Sequence, residues 1–461
     1  MPFVILPTNS ASGGYEITNS LRFNAGSSDN LSIVFASAET SNKIGTLSFW
    51  FKTLGTNQQY LVATNTGTIF YIYFNSSTGI TFQNGATTTR FTTQVFRDPS
   101  AWYHLVVAWD TTQGTASNRQ KMYLNGSEIT AFSTSNDLSL NQVIPFFDND
   151  GSTKHIGSYT GGGYYSGYIS EFYGIDGQQL TPSSFGETDE DTGIWKPKAY
   201  TGTYGTNGFY LQFKNSSSLG TDSSGNGNTF TVNNLTSIDQ TTDTPTNNFC
   251  TMNPLDNYYF AGTFTEGNLK VVSNGTSYSY CSSNFAVSQG KWYIEAKYDA
   301  TGSGDYTRFG IGHKVATSNS DNAGDETGEA IYRPTGGIKV NGTDTSSWGA
   351  SWTVGDIIGI ALDLDNNKLY FSKNGTFQAS GNPATNTNGI SITAPSSLST
   401  GVYFFGFSDN DGGASSTWSY NFGNPPYSAN SYTDGAGYGN FSYSVPSGYY
   451  ALNTKNLATF G

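Results

Sequence analysis

The chain is 461 residues long, with a formal net charge of −13 and only 12% charged residues, about half the usual ~25%. That length exceeds what one hydrophobic core supports, roughly 250–300 residues, so two domains are expected. Scattered Lys and Arg on an acidic chain exclude a phosphate-backbone partner, and the absence of any apolar run near ~20 residues excludes a membrane-spanning helix.

Disorder is excluded as well, because 31 Tyr and 31 Phe raise the aromatic share to 15%, whereas disordered chains are poor in aromatics. Abundant Gly, Ser, Thr and Asn between short aromatic and β-branched runs read as an all-β chain. The start, MPFVILPTNS, has a short apolar stretch without a basic flank, so no secretion signal is expected.

Residues 1–19 form a polar lead-in. SLRFNAGSSDNLSIVF places Leu21, Phe23, Leu31 and Ile33 around a Gly-Ser-Ser-Asp turn, a first hairpin. In TLSFWFK, Leu47, Phe49 and Phe51 share one face with Trp50 opposite, the period-2 pattern of a strand. QYLVAT, TIFYIYF and GITFQ follow as short strands. In AWYHLVVAWD, Tyr103, Leu105, Val107 and Trp109 alternate with His104, Val106, Ala108 and Asp110, and KMYL runs into Asn125-Gly126, a hairpin signal. KHIGSYTGGGYYSGYISEFYGIDGQQLTP closes the domain near Gly186. Strands from 201–236, through Phe209, Leu211 and Phe213, are expected to add back onto it, so the first domain spans 20–236.

Trp102, His104, Tyr123, Asn125, Gly126, Gly157, Tyr165, Gly167, Ile169, Glu171 and Phe172, followed by LTP, resemble the laminin-G-like, concanavalin A-like domains. The resemblance implies two facing antiparallel sheets curled into a jelly roll.

Residues 237–256 are polar, Pro-bearing and aperiodic, as a linker would be. Beyond them the clearest local signal is GDIIGIALDLDNNKLYFSKNGTF, 355–377. There Ile358, Ile360, Leu362 and Leu364 fall on one face, Asp365-Asn366-Asn367 turn the chain, Leu369 and Phe371 point inward with Tyr370 between them, and Asn374-Gly375 reverses it again. With Gly290, Trp292, Glu295, Gly310, Gly312, Trp352, Asp356, Asn421, Phe422 and Gly423, this stretch resembles a SPRY domain over 257–427. A Tyr- and Gly-rich segment, 428–461, follows, whose Val445, Tyr449, Leu452 and Leu457 are expected to dock on a domain surface. The expected fold is therefore all-β, two antiparallel β-sandwich (jelly-roll) domains in tandem.

FRDPSAWYH, LTPSSFGETD, DSSGNGN and GYGNF-x-Y-x-VPSGYYAL-x-TKNL, taken in order, resemble a type of protein encoded by marine bacteriophages. The resemblance implies a virion component, a fibre or capsid-surface decoration, assembled in the host cytoplasm and exposed outside. Its implied partners are other virion proteins and a host-surface glycan, and a homo-oligomer is expected. A purely architectural subunit without a ligand is the alternative.

No enzyme is expected. A retaining glycosidase needs paired carboxylates about 5 Å apart, and Glu171 stands alone among aromatics. His104, His155 and His313 lie on separate strands without ligand spacing, and no phosphate-binding G-x-x-x-x-G-K-[ST] loop occurs. Cys250 and Cys281 lack C-x-x-C spacing; whether they pair stays open. Ca²⁺ is the one cofactor left open, through Asp148-Asn149-Asp150-Gly151 and Asp409-Asn410-Asp411-Gly412 and through Asp321, Asp325, Glu326 and Glu329. Resemblance to laminin-G-like domains favours Asp148 and Asp150 as its ligands. Tyr159, Tyr164, Tyr165 and Tyr168 on a Gly-framed turn, with Trp348, are the expected ligand-binding residues, since aromatic rings beside amides and hydroxyls suit sugar faces or peptides; Trp352 is expected in the core.

Overall fold

The computed structural model describes residues 14–54, 57–64, 69–76, 79–259, 261–275, 278–302, 306–313, 323–409 and 414–461. Described residues up to Thr246 form one compact unit and those from Asn247 form another. Both are antiparallel sandwiches, and the single α-helix among the described residues, Thr454–Phe460, is one of seven residues. Among the described residues no helix is long and apolar enough to cross a membrane.

In the first unit, one sheet runs in the order Ser127–Glu128, Gln120–Leu124, Tyr103–Asp110, Ile44–Thr53, Gly167–Asp176, Ser20–Phe23, Gln240–Thr241. The Gly167–Asp176 strand shares one edge between two partners: its start pairs with Ser20–Phe23 and its end with Phe209–Leu211. The other sheet runs Phe132–Ser135, Thr87–Thr92, Ile80–Asn84, Phe70–Phe74, Gln59–Thr64, Lys154–Ile156, Asn30–Ile33, Thr231–Asn233. Alternation dictates what fills the space between them. Leu47, Phe49, Phe51, Leu105, Val107 and Trp109 from one sheet meet Phe70, Ile72, Phe74 and Phe82 from the other in one buried cluster.

The second unit repeats the plan. One sheet runs from Met252–Tyr259 through Ser279–Ser283, Phe404–Asp409, Thr307–Gly312, Ala330–Tyr332 and Ile338–Val340 to Thr343–Thr345. The other runs from Thr263–Thr265 through Lys270–Val272, Thr417–Asn421, Lys291–Ala300, Ile357–Asp363 and Lys368–Lys373 to Thr376–Phe377. Ile358, Ile360, Leu362, Leu369 and Phe371 face its core, as does Trp352. Asn374 and Gly375 take φ of 49° and 79° at the reversal, the left-handed pair a two-residue hairpin needs. Tyr293, Ala361 and Tyr370 face the opposite way, under a roof made by Phe441, Tyr449 and Ala451.

Residues 237–256, expected as a linker, are instead built into strands on both sides of the division between Thr246 and Asn247. Gln240–Thr241 extends the first unit's sheet and Met252–Tyr259 edges the second unit's. Cys250 and Cys281 are buried free thiols.

Candidate binding face

The outward face of the first unit's second sheet gathers four tyrosines. In Phe70–Phe74 the inward residues Phe70, Ile72 and Phe74 are buried, which turns Tyr71 and Tyr73 outward. A register shift between Tyr60 and Val62 sends both Leu61 and Val62 into the core and leaves Tyr60 outward beside Tyr73. The Tyr60 ring lies 5.0 Å from Tyr73 at 21°, 5.2 Å from Tyr71 at 85° and 4.6 Å from Tyr159. Tyr159 comes from a turn in which its amide and carbonyl pair with those of Gly162 (3.1 and 2.9 Å). The same turn is anchored by the Tyr60 amide donating to the Gly163 carbonyl at 2.9 Å. Gly163 has φ +54°, and a Cβ there would stand 2.5 Å from the Tyr60 ring, so the seat of this ring requires glycine.

Hydrogen bonds edge the cluster. Gln58 Nε2 donates to the Tyr60 hydroxyl at 3.1 Å, the Tyr73 hydroxyl donates to Gln83 Oε1 at 3.5 Å, and Gln83 Nε2 donates to the Gly85 carbonyl at 3.1 Å. Burial, then the phenols of Tyr73, Tyr71 and Tyr159, push Tyr60 up to about 12, and burial also raises Tyr71, so neither ionises near neutral pH.

Of the five residues expected to bind a ligand, only Tyr159 joins this cluster. Tyr164 is half-buried. Tyr165 and Tyr168 are fully buried and present no surface to a ligand. The Tyr165 hydroxyl donates to the Lys52 carbonyl at 2.9 Å, with its ring between the sheets against Phe23 and Phe74. Tyr168 lies under the Lys52 ammonium, 4.9 Å from its ring centre, and beside Trp102. Trp348 belongs to the other unit, half-buried edge-on against Tyr332 and Phe371. Tyr60, Tyr71 and Tyr73 escaped the sequence reading. The alternation in FYIYF carried the signal for Tyr71 and Tyr73; nothing signalled the bulge that sets Tyr60.

Asp148 and Asp150 do not fit a Ca²⁺ site. Asp150 Oδ1 already accepts from Lys154 Nζ (2.7 Å), the Ser152 amide (2.9 Å) and the Ser152 hydroxyl (2.6 Å). The Lys154 side chain is fully buried, and its ammonium also reaches the Ser152 carbonyl at 3.2 Å, so an ammonium stands at the centre of this turn where a cation would sit. Asp148 Oδ1 has no hydrogen-bond partner among the described residues. Burial, then Glu39 and Asp150, push its carboxyl up to about 7, and Lys154 partly opposes this. Among the described residues no group of three or more His, Cys, Asp or Glu side chains is arranged for a metal. Residues 410–413 and Asp321 lie outside the described residues, Asp325 pairs with Lys339, and Glu329 accepts the amides of Gly324 and Glu326.

The best-placed acid and base are consumed internally. Glu171, at φ +50° in a bulge, is 3% exposed, and its Oε2 accepts hydroxyls from Tyr15, Tyr173 and Tyr210 at 3.0, 2.6 and 2.5 Å. Burial raises its pKa against these bonds. The Trp195 indole N–H lies 3.0 Å from His104 Nδ1 and can only donate, so Nδ1 accepts and Nε2–H donates to Ser48 Oγ at 2.8 Å. That polarity is opposite to a nucleophile and its base, and burial lowers His104 to about 3.

Comparison with known proteins places these features. The laminin-G-type profile described as the concanavalin A-like lectin/glucanases superfamily matches residues 25–183, and that of the SPRY domain matches residues 291–390. No curated protein matches the chain. Among solved structures, the SPRY domain of human HERC1 is 14% identical, covering 37% of this chain and 96% of its own, with a TM-score of 0.30. A human SPRY domain is 13% identical, covering 33% and 91%, with a TM-score of 0.25. The native heptameric SAP-like pentraxin of Limulus polyphemus is 19% identical, covering 36% and 80%, with a TM-score of 0.26. The chain thus carries a laminin-G-like, concanavalin A-like domain in its first unit and a SPRY domain in its second.

Proposed function

We propose that this protein is a non-enzymatic binding and structural component of a bacteriophage virion, a fibre or capsid-surface decoration that contacts host-surface glycans or other virion subunits. Both domain types typically bind rather than catalyse. The observation that carries the reading is the outward cluster in which Tyr60, Tyr71 and Tyr159 are half-buried over a buried Tyr73, three rings that the other described residues of the unit leave partly open to contact. The consumed state of Glu171 and His104 accords with it. Immunogold labelling of virions, with attachment of the purified chain to host cells, tests the proposal. Label on a tail, fibre or capsid surface supports it, and attachment lost in Tyr71→Ala assigns the contact to this face. Absence of the chain from virions overturns the virion assignment, and spontaneous assembly without any attachment favours the architectural reading.

A further inference from the structure

We infer that this protein self-associates through a free sheet edge of its first unit, Phe132–Ser135 of one copy pairing antiparallel with the same strand of a second copy across a two-fold axis. The inference goes beyond the reading above and does not depend on what the tyrosine face contacts. Phe132–Ser135 ends its eight-stranded sheet, with Thr87–Thr92 on one side and no strand on the other. One row of its N–H and C=O groups therefore has no strand partner.

Natural sheet edges are blunted by brevity, charge or proline, and among the described residues every other end of the four large sheets shows one of these. In the first unit Ser127–Glu128 and Gln240–Thr241 have two residues and Thr231–Asn233 has three. In the second, Thr263–Thr265 and Thr376–Phe377 have three and two, Met252–Tyr259 contains Pro254 and Asp256, and Thr343–Thr345 contains Asp344. The Phe132–Ser135 edge is longer than its strand. Its ladder to the neighbouring strand extends from Ala131, whose carbonyl accepts the Thr93 amide at 3.2 Å, to Asn136, whose amide donates to the Thr89 carbonyl at 2.7 Å. That run is uncharged, and Ala131, Ser133, Ser135 and Asn136 are exposed. A register shift between Phe132 and Thr134 bends it, which shortens the regular stretch without covering it.

A four-residue strand alone does not bury the ~1,200 Å² of a specific interface, so what flanks it decides. Three of the four large exposed hydrophobic side chains described in the first unit lie at its ends. Val95, 42% exposed, follows Thr93 at one end; Leu140 and Val143, 54% and 38% exposed, belong to the other. There the Val143 carbonyl accepts Asn84 Nδ2 at 3.2 Å beside the Asn84–Thr87 turn, and Asn136 Nδ2 donates to the Thr88 carbonyl at 3.0 Å. An antiparallel two-fold pairing exchanges the ends. Val95 of each copy then meets the end that carries Leu140 and Val143 of the other, and the exposed Arg97 meets the end that carries Asp137, whose side chain is 43% exposed. Apolar faces apolar and positive faces negative at both junctions, the self-complementarity that an isologous contact requires. A parallel pairing would set Arg97 against Arg97 and Asp137 against Asp137.

Sedimentation equilibrium of the full chain over a concentration series tests the assignment, together with hydrogen exchange at the two ends of that series. A monomer–dimer equilibrium is expected, with the amides of residues 131–136 gaining protection in the dimer. Val95→Asp and Leu140→Asp, both at exposed positions, should each weaken the dimer about tenfold or more with an unchanged circular dichroism spectrum, and Val354→Asp on the other unit should leave it intact. A chain that stays monomeric at millimolar concentration overturns the assignment and leaves the edge to a strand of another protein. A dimer or larger oligomer that survives both substitutions also overturns it, as does protection gained elsewhere than at residues 131–136.

Discussion

Replacing Asp243 with Asn should destabilise the first unit although the side chain lies in a stretch that reads as linker. Its Oδ2 is 2.6 Å from Lys52 Nζ, with the two side chains 0% and 1% exposed, and its Oδ1 accepts the Trp102 indole N–H at 3.1 Å. Removing one partner of a buried ion pair costs about 3–5 kcal/mol, because the other charge stays buried and uncompensated. The rings of Tyr168 and Trp102, 4.9 and 5.8 Å from the ammonium, remain and offset part of that loss. Asn still offers an oxygen to Trp102. The expected cost is therefore near the lower bound, about 3 kcal/mol, or roughly 6–12 °C for a unit of this size at about 2–4 °C per kcal/mol. Calorimetry of the full chain measures the shift, with hydrogen exchange in Ile44–Thr53 identifying the transition that belongs to this unit. Adding Lys52→Met should recover most of the loss, since a buried pair replaced on both sides is often neutral. A melting point for Asp243→Asn indistinguishable from that of the wild type would refute the reasoning, because it would mean that the ammonium reaches water.

His104 is held near 3 by burial against about 6.5 unfolded, so the unfolded state binds the proton first. Its contribution to stability is complete above pH ~6.5 and is lost at up to about 1.4 kcal/mol per pH unit as pH falls toward 3; urea titrations at neutral and acid pH should show a shallower loss for His104→Phe than for wild type. Gly163→Ala should cost about 1–3 kcal/mol through its positive φ and, by pushing the Tyr60 ring aside, reduce attachment to host cells as strongly as Tyr71→Ala does. Chelation or millimolar Ca²⁺ should leave the melting point of the first unit within about 1 °C, since a ligand shifts stability only where it binds, while Lys154→Met should lower it; a clear rise with Ca²⁺ would contradict the closed Asp150 turn. Glu295 accepts the amides of Ser442 and Tyr443 (2.8 and 2.9 Å), Asn421 Nδ2 and the Tyr293 hydroxyl. Glu295→Gln has one oxygen for these donors and should cost about 1–3 kcal/mol for each one left unpaired, read by thermal melting and by proteolytic cleavage between residues 428 and 446.

Much of the architecture was legible because alternation and turn chemistry act locally. Leu47, Phe49 and Phe51, the pairing of Ile357–Asp363 with Lys368–Lys373, and the Asn-Gly reversals at 125–126 and 374–375 all follow from period and left-handed propensity. The candidate site was less legible, for three separate reasons. A bulge changes the face count without a compositional mark, so Tyr60 and Ala63 come to share a face that strict alternation denies them. An outward residue is not always an exposed one: Tyr168 points away from the core and is then covered by Trp102 and the Lys52–Asp243 pair. Charge misleads as well, because Lys154 shares its inward face with Ile156 and is buried through its contacts with Asp150 and Ser152.

The covering of outward faces also explains why the tyrosine cluster stands out. Each sandwich has outward faces that the core cannot protect, and polar anchors tie other segments over some of them. In the first unit, one sheet's outward side is roofed by Ile17, Trp102 and Trp195 around Trp50, and by Phe185, Leu180 and Tyr200 around Tyr173 and Tyr210. Asp243 on Lys52 and Tyr15 on Glu171 hold segments in place there. In the second unit, Phe441, Tyr449 and Ala451 roof Tyr293 and Tyr370, with Glu295 gripping the amides of Ser442 and Tyr443. Over Gln59–Thr64 and Phe70–Phe74 the described chain supplies only the Tyr159–Gly163 turn. A buried carboxylate with three or four donors fixes a roof and closes a face, whereas the half-buried phenols of Tyr60, Tyr71 and Tyr159, without such an anchor, leave part of their face available to another molecule.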